Sequence, residues 1–311
     1  MAVDESTFRT MASDAQIIVV DGPPQACATA RRALGQLEAC WSRFFESSDI
    51  SRLNHHAGRP VRVDPATLTL VEVMIEAWQI TDRRFDPTTL PALVEAGYVA
   101  SIEDPAARTV IRATDTGCAR GSSPARIEVD QVSRSVTLPA GMALDAGGVG
   151  KGLAADLVVA ELLARGAGGV LVSIGGDLVA AGTAPTAAGW MLDVEDPLRP
   201  PSTLARLAFS EGGVATSSTL SRRWDKAGTP QHHVIDPNTG EPSATDLGAV
   251  TVFASSGWQA EAHATALLLG GGRDFEGYTR ERRIEAIATT MKGQTMTTDG
   301  LASYLPLQAM T

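Results

Sequence analysis

The segment GGVLVSIGGDLVAAG, residues 168–182, constrains the fold of this chain more than any other stretch. It reads as a buried strand, a glycine turn and a further strand, with no helix between them. Later segments WMLDVEDP (190–197), TLARLAFS (203–210) and AVTVFAS (249–255) have the same strand character. Helices are expected elsewhere. DPATLTLVEVMIEAWQITD (64–82) opens with Asp64 as a cap and Pro65 in the first turn, and Leu68, Val71, Ile75 and Trp78 form one stripe. ACATARRALGQLEACWSRFFES (26–47) reads as an earlier amphipathic helix, Lys151–Ala164 as a third stopped by Gly166, and GWQAEAHATALLLGG (257–271) as the last. Strands and helices mixed without a regular βαβ rhythm imply an α+β fold, not a doubly wound sheet. One compact domain over residues 1–311 is expected, with the polar, small-residue stretch 101–126 as a loop or insertion.

Charge and cysteine usage remove several functions. A net charge of −10 argues against a nucleic-acid partner, which needs clustered Lys and Arg. No run of about 18 apolar residues occurs, so no membrane span is expected. The opening MAVDESTFRT lacks a basic stretch followed by an apolar one, which points to a cytoplasmic protein without a secretory signal. Cys27, Cys40 and Cys118 are far apart with no CxxC, and read as free buried thiols in a reducing compartment.

The stretch DAGGVGKGLAAD (145–156) carries the first chemistry. A glycine turn ending in Gly150-Lys151 resembles a triphosphate loop, but that loop needs a Ser or Thr after the lysine and a glycine five residues before Gly150. Gly152 and Asp145 stand there instead, and a carboxylate would repel phosphates. Two readings survive: an anion site of backbone amides and the Lys151 ammonium at a helix start, or a tight turn with a solvated lysine. In AEAHATALLLGG, Glu261 and Thr265 are four apart and share a helix face. They form a partial shell for Mg²⁺, which takes few protein ligands, or simply a polar helix edge. His232 and His233, ahead of the turn DPNTG, offer an imidazole suited to general-base work or a polar pair beside a turn. Asp86-Pro87-Thr88 in RRFDPTTLP reads locally as a helix start or turn.

Taken in order, FRTMAS, WSRFFESSDISRLN, RFDPTTLP, LDAGGVGKGLAAD, VSIGGDLVAAG, GGVATSS, HHVIDPNTGEP and AEAHATALLLG resemble the ApbE family, the FAD:protein FMN transferases. The resemblance implies an ApbE-type, T-fold-like α+β domain with mixed or antiparallel sheets, packed helices and FAD in a central crevice. It matches Met11, Phe44, Arg84, Phe85, Asp86, Asp145, Lys151 and Ile235 to positions that contact FAD. It matches the Gly148 carbonyl, Glu261 and Thr265 to Mg²⁺ ligands, and His233 to the catalytic base. The chain departs from the pattern in places. Ala12 and Ser13 replace Gly-Thr, Phe44 stands where Tyr is frequent, Arg84 where Gly is usual, and Glu261 where Asp is common.

The implied reaction is Mg²⁺-dependent transfer of FMN from FAD to a threonine hydroxyl of a target flavoprotein, releasing AMP. Two alternatives stay open: hydrolysis of FAD to FMN and AMP, and flavin binding without catalysis. A retained base and metal pair argue against binding alone.

Overall fold

The N-terminal segments Val3–Thr10 and Ser13–Val20 pair antiparallel through a tight turn, and the second strand alternates buried and exposed positions over much of its length. That hairpin was not expected from the sequence, where only FRTMAS drew notice. It opens an eight-stranded sheet in the computed structural model of the chain, which describes residues 1–101, 104–109 and 123–304. The order continues through Gly169–Ile174, Asp177–Gly182, Gly212–Ser218, Leu247–Ala254, Glu285–Thr290 and Thr295–Thr297, with every neighbouring pair antiparallel. The edge strand Val3–Thr10 carries Asp4, Glu5 and Arg9, charges that oppose pairing with another chain.

Among the described residues seven α-helices follow in chain order: α1 (Ala26–Trp41), α2 (Asp49–His55), α3 (Pro65–Ile80), α4 (Leu90–Glu95), α5 (Gly150–Ala164), α6 (Gly257–Gly270) and α7 (Phe275–Arg282). Contacts gather the described residues into two compact units. The first comprises Met1–Leu34, Lys151–Ser221 and Ala244–Thr311, and the second Gly35–Gly150 and Arg222–Ser243.

In the first unit the large sheet is covered on both faces, because its strands are apolar on both. The hairpin Trp190–Glu195/Thr203–Phe209 buries Trp190, Val194, Leu207 and Phe209 against Leu171, Val214, Phe253 and Ile287. The opposite face presents Val170, Val172, Ala215, Val250 and Val252, all buried, and Ser217 on that face meets Thr265 of α6. This is the α+β arrangement that the missing βαβ rhythm implied, with the antiparallel sheets and packed helices that the family resemblance implied.

The second unit holds α2, α3, α4, a three-stranded sheet in the order Pro60–Arg62, Ser135–Thr137, Glu128–Asp130, and two short hairpins, Arg223–Lys226/Thr229–His232 and Ile235–Asp236/Glu241–Pro242. Asp64 caps α3 as expected, its Oδ1 accepting from the Ala66 N–H at 2.8 Å, and Pro65 follows. Leu68, Val71 and Trp78 are buried, whereas Met74 takes the core position that the stripe gave to half-buried Ile75. The Asn54 side chain donates to the Leu144 carbonyl (2.9 Å) and accepts from its N–H (2.8 Å), anchoring the chain as it enters DAGGVG.

Two expectations need correction. The helix expected over 26–47 ends at Trp41, Arg43 just beyond it is buried, and α2 was not foreseen. Cys27 is buried, but Cys40 is only partly so; Cys118 lies outside the described residues. Within 101–126 the described residues include a short 3₁₀ turn at Pro124–Arg126; residues 102, 103 and 110–122 lie outside the description.

Candidate active site

In the first unit the site begins where two helices meet backbone to backbone. A Cβ on Gly152, in the first turn of α5, would lie 2.3 Å from the Gly257 carbonyl at the start of α6, so only glycine permits the approach. The contact brings Glu261, one turn into α6, over the start of α5. Its Oε2 accepts from the Gly152 N–H (2.9 Å) and its Oε1 from the Lys151 Nζ (2.9 Å). Lys151 also pairs with Asp177, which follows the glycine turn of the large sheet and accepts from the Thr216 N–H through Oδ1 at 3.0 Å. Thr265, one turn beyond Glu261, shares a 2.9 Å hydrogen bond with Ser217.

The charges do not balance. Lys151 has 21% of its side chain exposed, Asp177 4% and Glu261 5%, so one ammonium faces two buried carboxylates. A third acid, Asp156 of α5, accepts from the N–H groups of Gly257 (2.8 Å) and Trp258 (3.1 Å). Burial pushes its pKa up to about 6, with the Glu261 charge adding to the rise and the two N–H bonds opposing it. Lys151 is thus paired with two carboxylates, and Glu261 is buried, not on an exposed helix edge.

The donors suit a hard divalent cation in part. Buried carboxylate and hydroxyl oxygens with an excess of negative charge match the preference of Mg²⁺. Among the described residues, no group of three or more His, Cys, Asp or Glu is arranged to hold a metal ion. Met11 lies in the turn between the first two strands, with positive φ (50°). The Gly175 N–H donates to the nearby Asp14 carbonyl (2.8 Å), tying that turn to the loop bearing Asp177.

In the second unit the Asp145 turn is built by local hydrogen bonds. The Asp145 N–H donates to the Pro87 carbonyl (3.0 Å), joining DAGGVG to RFDP, and Asp145 Oδ1 accepts from the Gly147 N–H (3.1 Å). Gly148 has φ +88°, a left-handed turn conformation that favours glycine. Asp145 pairs with buried Arg43 (3.4 Å), whose guanidinium lies over the rings of Phe44 (4.4 Å) and Tyr98 (4.8 Å). Tyr98 stacks on Trp224 with ring centroids 5.4 Å apart, and both pack on a cluster of Leu93, Ala96 and Ile235. Phe44, Asp145 and Ile235 are therefore drawn together by Arg43, Tyr98 and Trp224, none of which the sequence singled out.

Asp86 Oδ1 accepts from the Thr88 N–H (2.8 Å) and hydroxyl (2.6 Å), forming a turn ahead of α4. Burial raises its pKa, and the Thr88 bonds offset part of the rise. Phe85 is buried, and before it the Arg84 N–H closes a separate turn after α3 on the Thr81 carbonyl (3.1 Å). The two histidines differ. His232 Nδ1 accepts from the Val234 N–H (3.3 Å), so its Nε2–H is the donor to the Ser243 carbonyl at 3.0 Å. Burial lowers the His232 pKa and favours this neutral form. Both its ring nitrogens are engaged in holding the hairpin end. His233, half-buried, follows directly between Thr229–His232 and Ile235–Asp236.

Comparison with known proteins bears on the whole chain. A family model described as the ApbE family matches residues 11–288. An FAD:protein FMN transferase of Treponema pallidum (strain Nichols) is 30% identical over 254 residues, covering 76% of this chain and 69% of that protein. One from Klebsiella pneumoniae (strain 342) is 27% identical over 249 residues, covering 78% and 75%. Among solved structures, the apo form of the Pseudomonas stutzeri flavinyl transferase ApbE superposes with a TM-score of 0.81 at 27% identity, covering 98% of this chain and 97% of that one. The Thermotoga maritima ApbE protein superposes with a TM-score of 0.84 over 97% of this chain and 99% of that one, at 22% identity, and speaks for the fold alone. Among the described residues no helix is long and apolar enough to cross a membrane.

Proposed function

The chain belongs to the ApbE family, and from that premise we propose that it transfers FMN from FAD to a threonine hydroxyl of a target flavoprotein, with Mg²⁺ and release of AMP. The observation that carries this reading is the buried Lys151–Glu261–Asp177 cluster, which has more negative than positive charge and sits at a helix start.

Lys151, at the start of α5, supplies a positive charge to the pyrophosphate of FAD. Met11, Phe44, Arg84, Phe85, Asp86, Asp145 and Ile235 are assigned to FAD contact. The Phe44 ring, under the Arg43 guanidinium, provides an aromatic face, and Asp145 is fixed in orientation by the same arginine. The Gly148 carbonyl, Glu261 and Thr265 would hold Mg²⁺, which when bound neutralises the charge that builds on the phosphates and the departing AMP. His233 accepts the proton of the threonine hydroxyl as its oxygen bonds to the FMN phosphorus and the bond to the AMP phosphate breaks. The product is a phosphoester between FMN and the threonine, and AMP leaves.

The test is to follow AMP release from FAD together with the mass of a co-incubated target flavoprotein. Transfer predicts one AMP for each FMN gained by the target. AMP formed at the same rate without a protein acceptor would make the enzyme a hydrolase, and bound FAD left intact would make it a flavin-binding protein.

A further inference from the structure

Two carboxylates, Asp156 half-buried and Glu261 buried, are exchanged between α5 and α6. Ser256, the residue at the N-cap of α6, makes no capping bond with its side chain. The first N–H groups of that helix, at Gly257 and Trp258, are instead taken by both oxygens of Asp156 from α5. In return Glu261 of α6 takes the Gly152 N–H in the first turn of α5. Between these bonds the backbones touch: a Cβ on Gly257 would lie 2.7 Å from the Gly152 carbonyl oxygen, and one on Gly213 would lie 2.4 Å from the Gly257 nitrogen. The two helix starts therefore have no side-chain layer through which small displacements could be absorbed.

We propose that Asp156 is a positioning residue for the metal- and phosphate-binding groups of this unit. By holding the first turn of α6 it sets where Glu261 and Thr265, one and two turns along, stand relative to Lys151. The inference rests on the assignment of Glu261 and Thr265 to Mg²⁺. Asp156 touches neither of them directly; it acts through the helix that carries both.

The chemistry separates this role from ordinary capping. An Asn at position 156 keeps one acceptor oxygen but turns an NH₂ toward a backbone N–H, so one of the two bonds is lost and two donors face each other. Loss of a group that orients a metal ligand typically costs about 10- to 100-fold in metal affinity or activity. A cap that only supports the helix would lower the melting temperature and leave the metal requirement unchanged.

The test compares Asp156→Asn, Asp156→Glu and Glu261→Ala with the parent. Mg²⁺ alone is titrated by calorimetry, and the Mg²⁺ dependence of AMP release is followed at saturating FAD. Asp156→Asn is expected to weaken Mg²⁺ binding at least about tenfold, to lower kcat more than it raises KM for FAD, and to recover part of its rate at high Mg²⁺. Asp156→Glu, which retains both acceptors, should lie between Asn and the parent and covers the case in which the Asn variant does not fold. Glu261→Ala should show no recovery at high Mg²⁺. If Glu261→Ala shifts the Mg²⁺ requirement and neither Asp156 variant does, Asp156 is only a cap and the inference is overturned. If Glu261→Ala leaves Mg²⁺ binding unchanged, the metal assignment falls and takes the inference with it.

Discussion

Replacing Lys151 by Met is the perturbation whose consequence the structure quantifies best. The aliphatic stem is largely kept and only the ammonium is removed. Glu261 lies 2.9 Å from it, and at an effective dielectric constant of about 20 the gross attraction of such a pair is about 6 kcal/mol. Desolvation offsets part of this, and removing one partner of a buried pair costs about 3–5 kcal/mol in measured cases. Lys151 serves Asp177 as well, and both carboxylates are at least 95% buried, so the loss belongs in that range and not with surface pairs, which are worth about 0–1 kcal/mol. Urea unfolding of parent, Lys151→Met, Glu261→Gln and the double variant measures it. Lys151→Met should lose about 3–5 kcal/mol, and the double variant should lose less than the sum of the singles by at least about 1 kcal/mol. A Lys151→Met variant within about 0.5 kcal/mol of the parent, with additive singles, would return Lys151 to a solvated turn residue. In variants that remain folded, KM for FAD should rise more than kcat falls, because the ammonium meets phosphate charge already present in the ground state.

Chelation of divalent metal should abolish AMP release, and Glu261→Ala should behave like chelation while Glu261→Asp retains turnover; full activity in excess chelator refutes the metal assignment. His233→Ala should bind FAD nearly normally yet lose about 10²- to 10⁴-fold in transfer, whereas His232→Ala should mainly lower the melting temperature, since both His232 ring nitrogens hold the hairpin end; equal transfer rates for His233→Ala and parent would remove histidine as the base. His263, buried against the Tyr278 hydroxyl at 2.8 Å, has its pKa lowered from 6.5 to about 4 by burial and then by the Arg282 charge. Its folded pKa lies below the unfolded one, so its contribution is complete above about pH 6.5 and is lost as pH falls toward 4, by about 3 kcal/mol in all. Asp156 acts in the opposite sense between 3.8 and about 6, so the comparison is of urea midpoints for parent and His263→Phe across this range, and parallel curves refute the assignment.

What the sequence disclosed follows the reach of each signal. Asp64-Pro65 and the α6 pattern are local, and the caps and bounds came out near where they were read. The end of α1 was missed because nothing local marks it, and the partner of Arg43 just beyond it is Asp145, 102 residues along the chain. Glu261 and Lys151 were legible as candidates from spacing and a glycine turn, but their contact spans 110 positions and depends on two glycines meeting. Asp177 was in view within VSIGGDLVAAG, yet an Asp after two glycines reads as turn chemistry unless the lysine opposite it is known. Tyr98 and Trp224 had no signal at all, since neither sits in a periodic pattern with the other, and only the folded chain stacks them.

The same cluster weighs on the choice among flavin binding, hydrolysis and transfer. Burying Asp177 and Glu261 around one ammonium is costly, because the excess negative charge in a low-dielectric site raises the free energy of the folded state. Holding a dianionic pyrophosphate needs positive charge, and further buried acids oppose it. Such acids lower the free energy of a complex only when a cation is recruited between them and the phosphates, and the benefit is greatest when phosphate charge increases, as it does on AMP in the transition state. A protein that merely binds FAD gains nothing from this arrangement over a second lysine in place of Glu261. The acid-rich cluster therefore favours catalysis of pyrophosphate cleavage over binding, while water and threonine as the attacking oxygen place the same demands upon it. What separates hydrolase from transferase is the fate of the FMN phosphorus, and the base proposed at His233 would serve either nucleophile. The decision between them thus lies with the acceptor, and its measure is the ratio of AMP released to FMN retained on protein.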